Sequence, residues 1–140
     1  MLNHNMSYVA DGDIQICRVV ALSDTDDFMV KQCTDVLTPY GIAQEWVQGS
    51  PGTPFASGDG DIAAEDTRPI KIYGPGSIAV AAQKATSPTL AAGAAVTADS
   101  NGFIVAASAG GTAVGWVHEG AGAGFSKLRV FVWPHTVAGS

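Results

Sequence analysis

The side chains of this 140-residue sequence best suited to chemistry are two acidic clusters, three histidines, two cysteines and three tryptophans. Asp59-Gly60-Asp61, followed by Glu65-Asp66, alternates acids with small residues, as calcium loops do. The twelve-residue calcium-loop pattern fails, because no third acid and glycine follow at the required spacing. A solvated acidic loop is therefore expected, and likewise a turn at Ser23-Asp24-Thr25-Asp26-Asp27. His4, His118 and His135 lie far apart, with no paired metal spacing. Ser50 and Ser77 sit in ordinary turn contexts, and no nucleophile elbow is present. Gly110-Gly111 and the Gly120–Gly124 run have the composition of phosphate loops, but neither opens a helix. Cys17 and Cys33 read as buried thiols in preference to a disulfide or a two-cysteine metal site. The expectation is a non-enzyme with no catalytic residue, metal or cofactor. Trp46, Trp116 and Trp133 remain, either as a stacking platform or, more in keeping with a β fold, as core or interface anchors.

The elements that must position these residues are strands. Ala94–Ala98 and Phe103–Ala107 flank Asp99-Ser100-Asn101-Gly102, and an Asn-Gly pair between apolar runs signals a hairpin whose two central residues both take positive φ. Ala113–His118 and Lys127–Trp133 follow. The last alternates, with Leu128, Val130 and Val132 on one face and Lys127, Arg129, Phe131 and Trp133 on the other. The first half of the chain repeats this unit. Val20-Ala21-Leu22-Ser23 matches Val96-Thr97-Ala98-Asp99, and Phe28-Met29-Val30 matches Phe103-Ile104-Val105. The stretch from Tyr40 to Glu45 matches that from Val114 to Glu119, and Arg68–Tyr73 matches Lys127–Val132. Matched glycines (Gly41, Gly115) and glutamates (Glu45, Glu119) at near-constant spacing support the repeat. The fold class is all-β: a small barrel or sandwich built from two pseudo-repeated antiparallel units, 13–83 and 88–133, with little or no helix.

In chain order, residues 1–12 read as an extended arm. Asp13–Leu22 reads as one strand, with Ile14, Ile16, Val20 and Leu22 on one face and Cys17, Val19 and Ala21 on the other. Residues 23–38 have a partial helical stripe and an acidic first turn, yet the repeat makes 23–27 a hairpin turn and 28–33 a strand, and that reading is preferred. Residues 48–67 form a long loop rich in Gly, Ser, Pro and Asp. Residues 13–140 are read as a single β domain. Ser77–Ala82 is a further short strand.

Charged residues make up only 14% of the chain against 46% hydrophobic, so much of the surface must be neutral, a condition that favours cover by a partner. A net charge of −6 with scattered basic residues argues against nucleic acid. The apolar runs are too short to span a bilayer, and 1–13 lacks the features of a signal peptide, so synthesis in the cytoplasm and no membrane partner are expected.

A strand–turn–strand unit, a Gly-containing step, a Gly-rich loop and a V-x-V ending resemble the capsid decoration, or cement, proteins of tailed bacteriophages. The residues that carry the resemblance are Gly93, Val96, Asp99, Gly102, Gly115, Glu119, Val130 and Val132, with Val20, Gly41, Ala43, Glu45, Ile70 and Ile72 in the first copy. The departures are the long 48–67 loop and Val117 in place of alanine. The resemblance implies a virion protein, made in the host cytoplasm and bound as a homotrimer to the outer capsid surface, where it bridges subunits of the major capsid protein. Asn3, His4, Tyr8, Trp46, Phe55, Trp116 and Trp133 are the expected interface residues. A carbohydrate- or receptor-binding β module using the tryptophans is the alternative.

Overall fold

The computed structural model describes residues 5–24, 27–44, 62–83, 90–119 and 126–139. Among these there is no helix, and the all-β expectation holds. Among the described residues, twelve strands form two closed five-stranded barrels and a two-stranded clip. The first barrel contains β1 (Asn5–Ala10), β3 (Val19–Leu22), β4 (Met29–Gln32), β5 (Gly41–Ala43) and β7 (Pro69–Tyr73), in the order β1-β4-β3-β5-β7. The second contains β8 (Ile78–Gln83), β9 (Ala95–Ala98), β10 (Ile104–Ala106), β11 (Thr112–Glu119) and β12 (Ser126–Thr136), in the order β10-β8-β12-β11-β9. The clip pairs β2 (Ile14–Gln15) with β6 (Ile62–Ala64).

The barrels match strand for strand. In each, the first strand runs parallel to the third (β1 with β4, β8 with β10), and every other pairing is antiparallel. The shared register also corrects the sequence alignment. Leu22 pairs with Val30 as Ala98 pairs with Ile104, so Met29, not Phe28, is the counterpart of Phe103. Ala43 pairs with Ile72 as Val117 pairs with Val130, so Ile70 and Ile72 correspond to Leu128 and Val130. A slip of one residue exchanges the two faces of a strand, and low identity could not exclude it.

Residues 5–10 are not an arm. They form β1, which closes the first barrel between β7 and β4, with Tyr8 and Ala10 turned into the core. Both partners lie far along the chain, so nothing local to this polar segment announces the strand. Ser77–Ala82 likewise does not end the first unit; as β8 it opens the second barrel. Asp13–Leu22 is not one strand either, since Cys17 has φ 58° and the run breaks between β2 and β3; Leu22, at the end of β3, is about half exposed. Part of the expected 48–67 loop is the strand β6, while residues 48–61 lie outside the described residues. The 28–33 stretch is the strand β4, in a hairpin with β3.

Each barrel has its own core. Tyr8, Ala10, Val20, Val30, Ala43, Ile70 and Ile72 fill the first, which Ile14, Ile16, Cys17, Ala63 and Ala64 of the clip region extend. Fully burying one such isoleucine stabilises the fold by about 2 kcal/mol. The second core holds Ala79, Ala81, Val96, Ile104, Val114, Leu128, Val130 and Val132, and Val19, Ala21, Cys33 and Ile42 of the first barrel join it. Strands β3 and β5 therefore bury both faces, one in their own barrel and one against the second. Cys17 and Cys33 are both buried, in different cores and not joined to each other. Burial pushes the Cys33 thiol up to about 11, and the thiol donates to the Thr34 carbonyl at 3.3 Å.

Candidate interaction surface

The outer face of β11 and β12 carries a row of aromatic rings. Inward Leu128, Val130 and Val132 leave Arg129, Phe131, Trp133 and His135 outward on β12. Trp116 lies directly across from Phe131 on β11. The Trp116 ring lies 4.3 Å from that of His135 and 6.3 Å from that of Phe131, and Phe131 lies 6.3 Å from Trp133, all with nearly parallel planes. His135 is held by a 2.7 Å hydrogen bond between its Nδ1 and the Trp133 carbonyl. Register shifts on either side of Gly115 and Val117 bend the pair so that these rings converge. Gly115 makes the close approach possible, since a Cβ there would overlap the carbonyl oxygen of Phe131.

The row continues across the barrel wall. Phe131 pairs on its other side with Ile78 of β8, and Trp116 with Ala95 of β9. Ile78, Phe131, Trp116 and Ala95 thus form an apolar stripe over four strands, edged by Trp133, which is 50% exposed. Arg129 and Glu119 form an exposed ion pair at 3.6 Å on the rim, a contact of small energetic weight. The stripe holds no charge of its own.

The counterpart stripe of the first barrel includes Tyr73, Ile42 and Val19. There Val19 and Ile42 are fully buried, and Tyr73 packs at the edge of the second core. A polar clasp beside it fixes the two barrels together. Buried Arg18 donates from Nη1 to Gln15 Oε1 at 2.6 Å and to the Asn101 carbonyl at 2.8 Å, with its guanidinium 3.7 Å from the centre of the Phe103 ring. Gln32 Nε2 donates to the same carbonyl at 2.9 Å. Val19 N–H donates to the Gly102 carbonyl, and Ala82 N–H to that of Cys17. The 99–103 hairpin end is shaped for this contact. Asp99 Oδ1 accepts from the Asn101 and Phe103 amides, and Gly102 alone takes positive φ, at 80°. The two-residue turn expected for Asn-Gly, with both residues left-handed, is thus replaced by a side-chain-bridged turn ending in one left-handed glycine.

Of the residues expected at an interface, Trp116 and Trp133 come together on the stripe. Tyr8 does not belong there: it is buried, with its hydroxyl 2.8 Å from that of Tyr40. Burial, then that hydrogen bond and the Tyr40 charge, push the Tyr8 phenol up to about 12. Asn3, His4, Trp46 and Phe55 lie outside the described residues. Phe131, Ile78 and His135 complete the surface, and the outward alternation of β12 already pointed to Phe131. Asp66 of the second acidic pair ties a loop, accepting from Gly12 N–H and donating its own N–H to Asp13. No cluster of metal-ligating side chains occurs among the described residues. A groove of about 430 Å³ beside the barrels is lined by Leu22, Lys31, Leu37, Tyr40 and Pro134 among others, with no histidine or cysteine.

Fold and surface together define a tandem-barrel β protein with an aromatic outer face. No protein-family model matches the chain, and no curated protein matches it. Among solved structures it is similar to the N base of the head fibre protein gp8.5 of bacteriophage phi29. That similarity has a TM-score of 0.50 and 16% sequence identity, over 91% of this chain and 92% of that one. At this identity the likeness is one of fold.

Proposed function

We propose that this chain is a structural protein of a phage virion. It sits on the outer surface of the head, bridges subunits of the major capsid protein as a homotrimer, and stabilises the shell. The observation that carries this reading is the likeness of the tandem-barrel fold, over nearly the whole of both chains, to the base of a phage head fibre. The low charge density and the uncovered apolar stripe support it, because both suit a protein that spends its working life covered by partners. A bridging protein stabilises an assembly by binding the intact lattice and not the separated subunits, and three linked copies add avidity. The test is co-sedimentation with expanded capsids assembled without this protein, followed by heating. Saturable binding with a raised temperature of capsid rupture is expected; no binding to expanded capsids overturns the reading.

The aromatic row favours one second reading, a glycan-binding module of a virion, since parallel rings at the surface can stack on sugars. Saturable glycan binding abolished by Trp116→Ala is its signature, and a null glycan screen removes it.

A further inference from the structure

The chain holds three asparagines, and only Asn101 is followed by glycine. A glycine there leaves the next amide nitrogen unshielded by a Cβ. Asn101 is exposed, and among the described residues no group bonds its carboxamide. Its main chain is held instead. The Asn101 carbonyl accepts from Arg18 Nη1 at 2.8 Å and from Gln32 Nε2 at 2.9 Å. Arg18 is buried, so its permanent charge acts on that carbonyl through a low-dielectric surround.

We propose that Asn101 is a site of spontaneous modification in the folded protein, deamidating to isoaspartate with the assistance of Arg18 and Gln32. The nucleophile is the Gly102 amide nitrogen. When it loses its proton, the negative charge spreads onto the Asn101 carbonyl oxygen of the same peptide group. The two donors already point at that oxygen, which is the arrangement of an oxyanion hole. The nitrogen attacks Asn101 Cγ, the new N–Cγ bond closes a succinimide ring, and the Cγ–Nδ2 bond breaks. Ammonia leaves with the proton that the amide gave up. Water then adds to one imide carbonyl and reopens the ring. The net exchange is amide and water for carboxylic acid and ammonia, with no change of oxidation state.

The clasp also selects the product. Water at Cγ gives aspartate. Water at the main-chain carbonyl carbon gives isoaspartate, whose chain runs through Cβ and Cγ and whose former carbonyl becomes a free carboxylate. Arg18 and Gln32 polarise the second carbonyl, and the carboxylate forms where they already donate, as a charge-assisted pair. Turning Asn101 for attack leaves its carbonyl in place. It gives up the 2.8 Å bond from the Asn101 amide to Asp99 Oδ1 and the longer 3.2 Å bond from the Gly102 amide to the Asp99 carbonyl. The added main-chain methylene then lifts Gly102 from its seat, where even a Cβ would meet Arg18, Gln32 and Val19 at 3.1–3.3 Å. Conversion therefore loosens the contact between the barrels.

This inference is independent of what the outer face binds. Wild-type protein and a peptide of residues 97–105 are incubated at mildly alkaline pH and physiological temperature. Peptide-mapping mass spectrometry follows Asn101, and isoaspartyl methyltransferase labelling counts isoaspartate. The folded protein is expected to convert faster than the peptide and with a larger share of isoaspartate. Arg18→Met, shown to be folded by circular dichroism, should convert about tenfold more slowly than the wild type, having lost a charged hydrogen bond to the developing anion. If that variant does not fold, the comparison with the peptide still decides. An Asn101 that converts no faster in the folded protein than in the peptide overturns the proposal. So does a folded Arg18→Met protein that converts as fast as the wild type.

Discussion

The two barrels share strand order and register yet differ in what holds their surfaces. In the first, the stripe across β3, β5 and β7 is Val19, Ile42 and Tyr73, and it is covered by the second barrel. In the second, the same positions hold Ala95, Trp116 and Phe131, which are only partly buried and are flanked by exposed Ile78 and Trp133. At the hairpin ends the roles reverse, with a small left-handed Gly102 at the covered end and a large left-handed Phe28 at the open one. One topology therefore carries one outer face that the other barrel covers and one that stays partly exposed. Side-chain size at matched positions, and not the backbone course, decides which is which.

The sharpest way to break this equivalence is at the matched glycines. Gly115→Ala drives a methyl group into the Phe131 carbonyl and should cost about 3 kcal/mol or more in urea unfolding. Gly41→Ala meets the Tyr73 carbonyl at 2.6 Å and Ile72 at 2.9 Å, and should cost about 2 kcal/mol. Tolerance of alanine at one position but not at the other would deny that they play one role. Next comes the clasp. Arg18→Met removes hydrogen bonds to Gln15 and Asn101 and should destabilise by about 2 kcal/mol, exposing the 99–103 hairpin to faster amide exchange. The left-handed pair gives opposite signs. Gly102→Ala should cost about 1–2 kcal/mol, whereas Phe28→Gly should raise stability by about 0.5 kcal/mol by relieving the strained φ.

The smallest effect is a dependence on alkaline pH. Folding favours the protonated Cys33 thiol, so its contribution is whole below pH 9.0 and is lost as pH rises through about 11. The Tyr8 contribution is likewise whole below pH 10.0 and is lost through about 12. Melting temperature should fall across this window, and Cys33→Ala should remove the earlier part of the fall.

The strands with alternating or continuous apolar runs were legible in the sequence, and so was the repeat, because Gly41 and Gly115 answer the same close approach. β1 was not legible, since Asn5–Ala10 is stabilised by partners distant in sequence. Reading Tyr8 as an interface residue failed for the same reason. The break at Cys17 leaves no composition signal, because cysteine is not a residue that marks left-handed φ. Trp116 and Trp133 drew notice by residue type alone, and the structure brings both beside Phe131. Ile78 was not, as it joins the stripe only through the pairing of β8 with β12.

The most direct measurement is co-sedimentation of the wild type and of Trp133→Glu with expanded capsids assembled without this protein. The account predicts saturable binding by the wild type and a clear loss of binding by the variant, because Trp133 is half exposed at the edge of the aromatic stripe. No binding by the wild type, or equal binding by a folded Trp133→Glu protein, would contradict it.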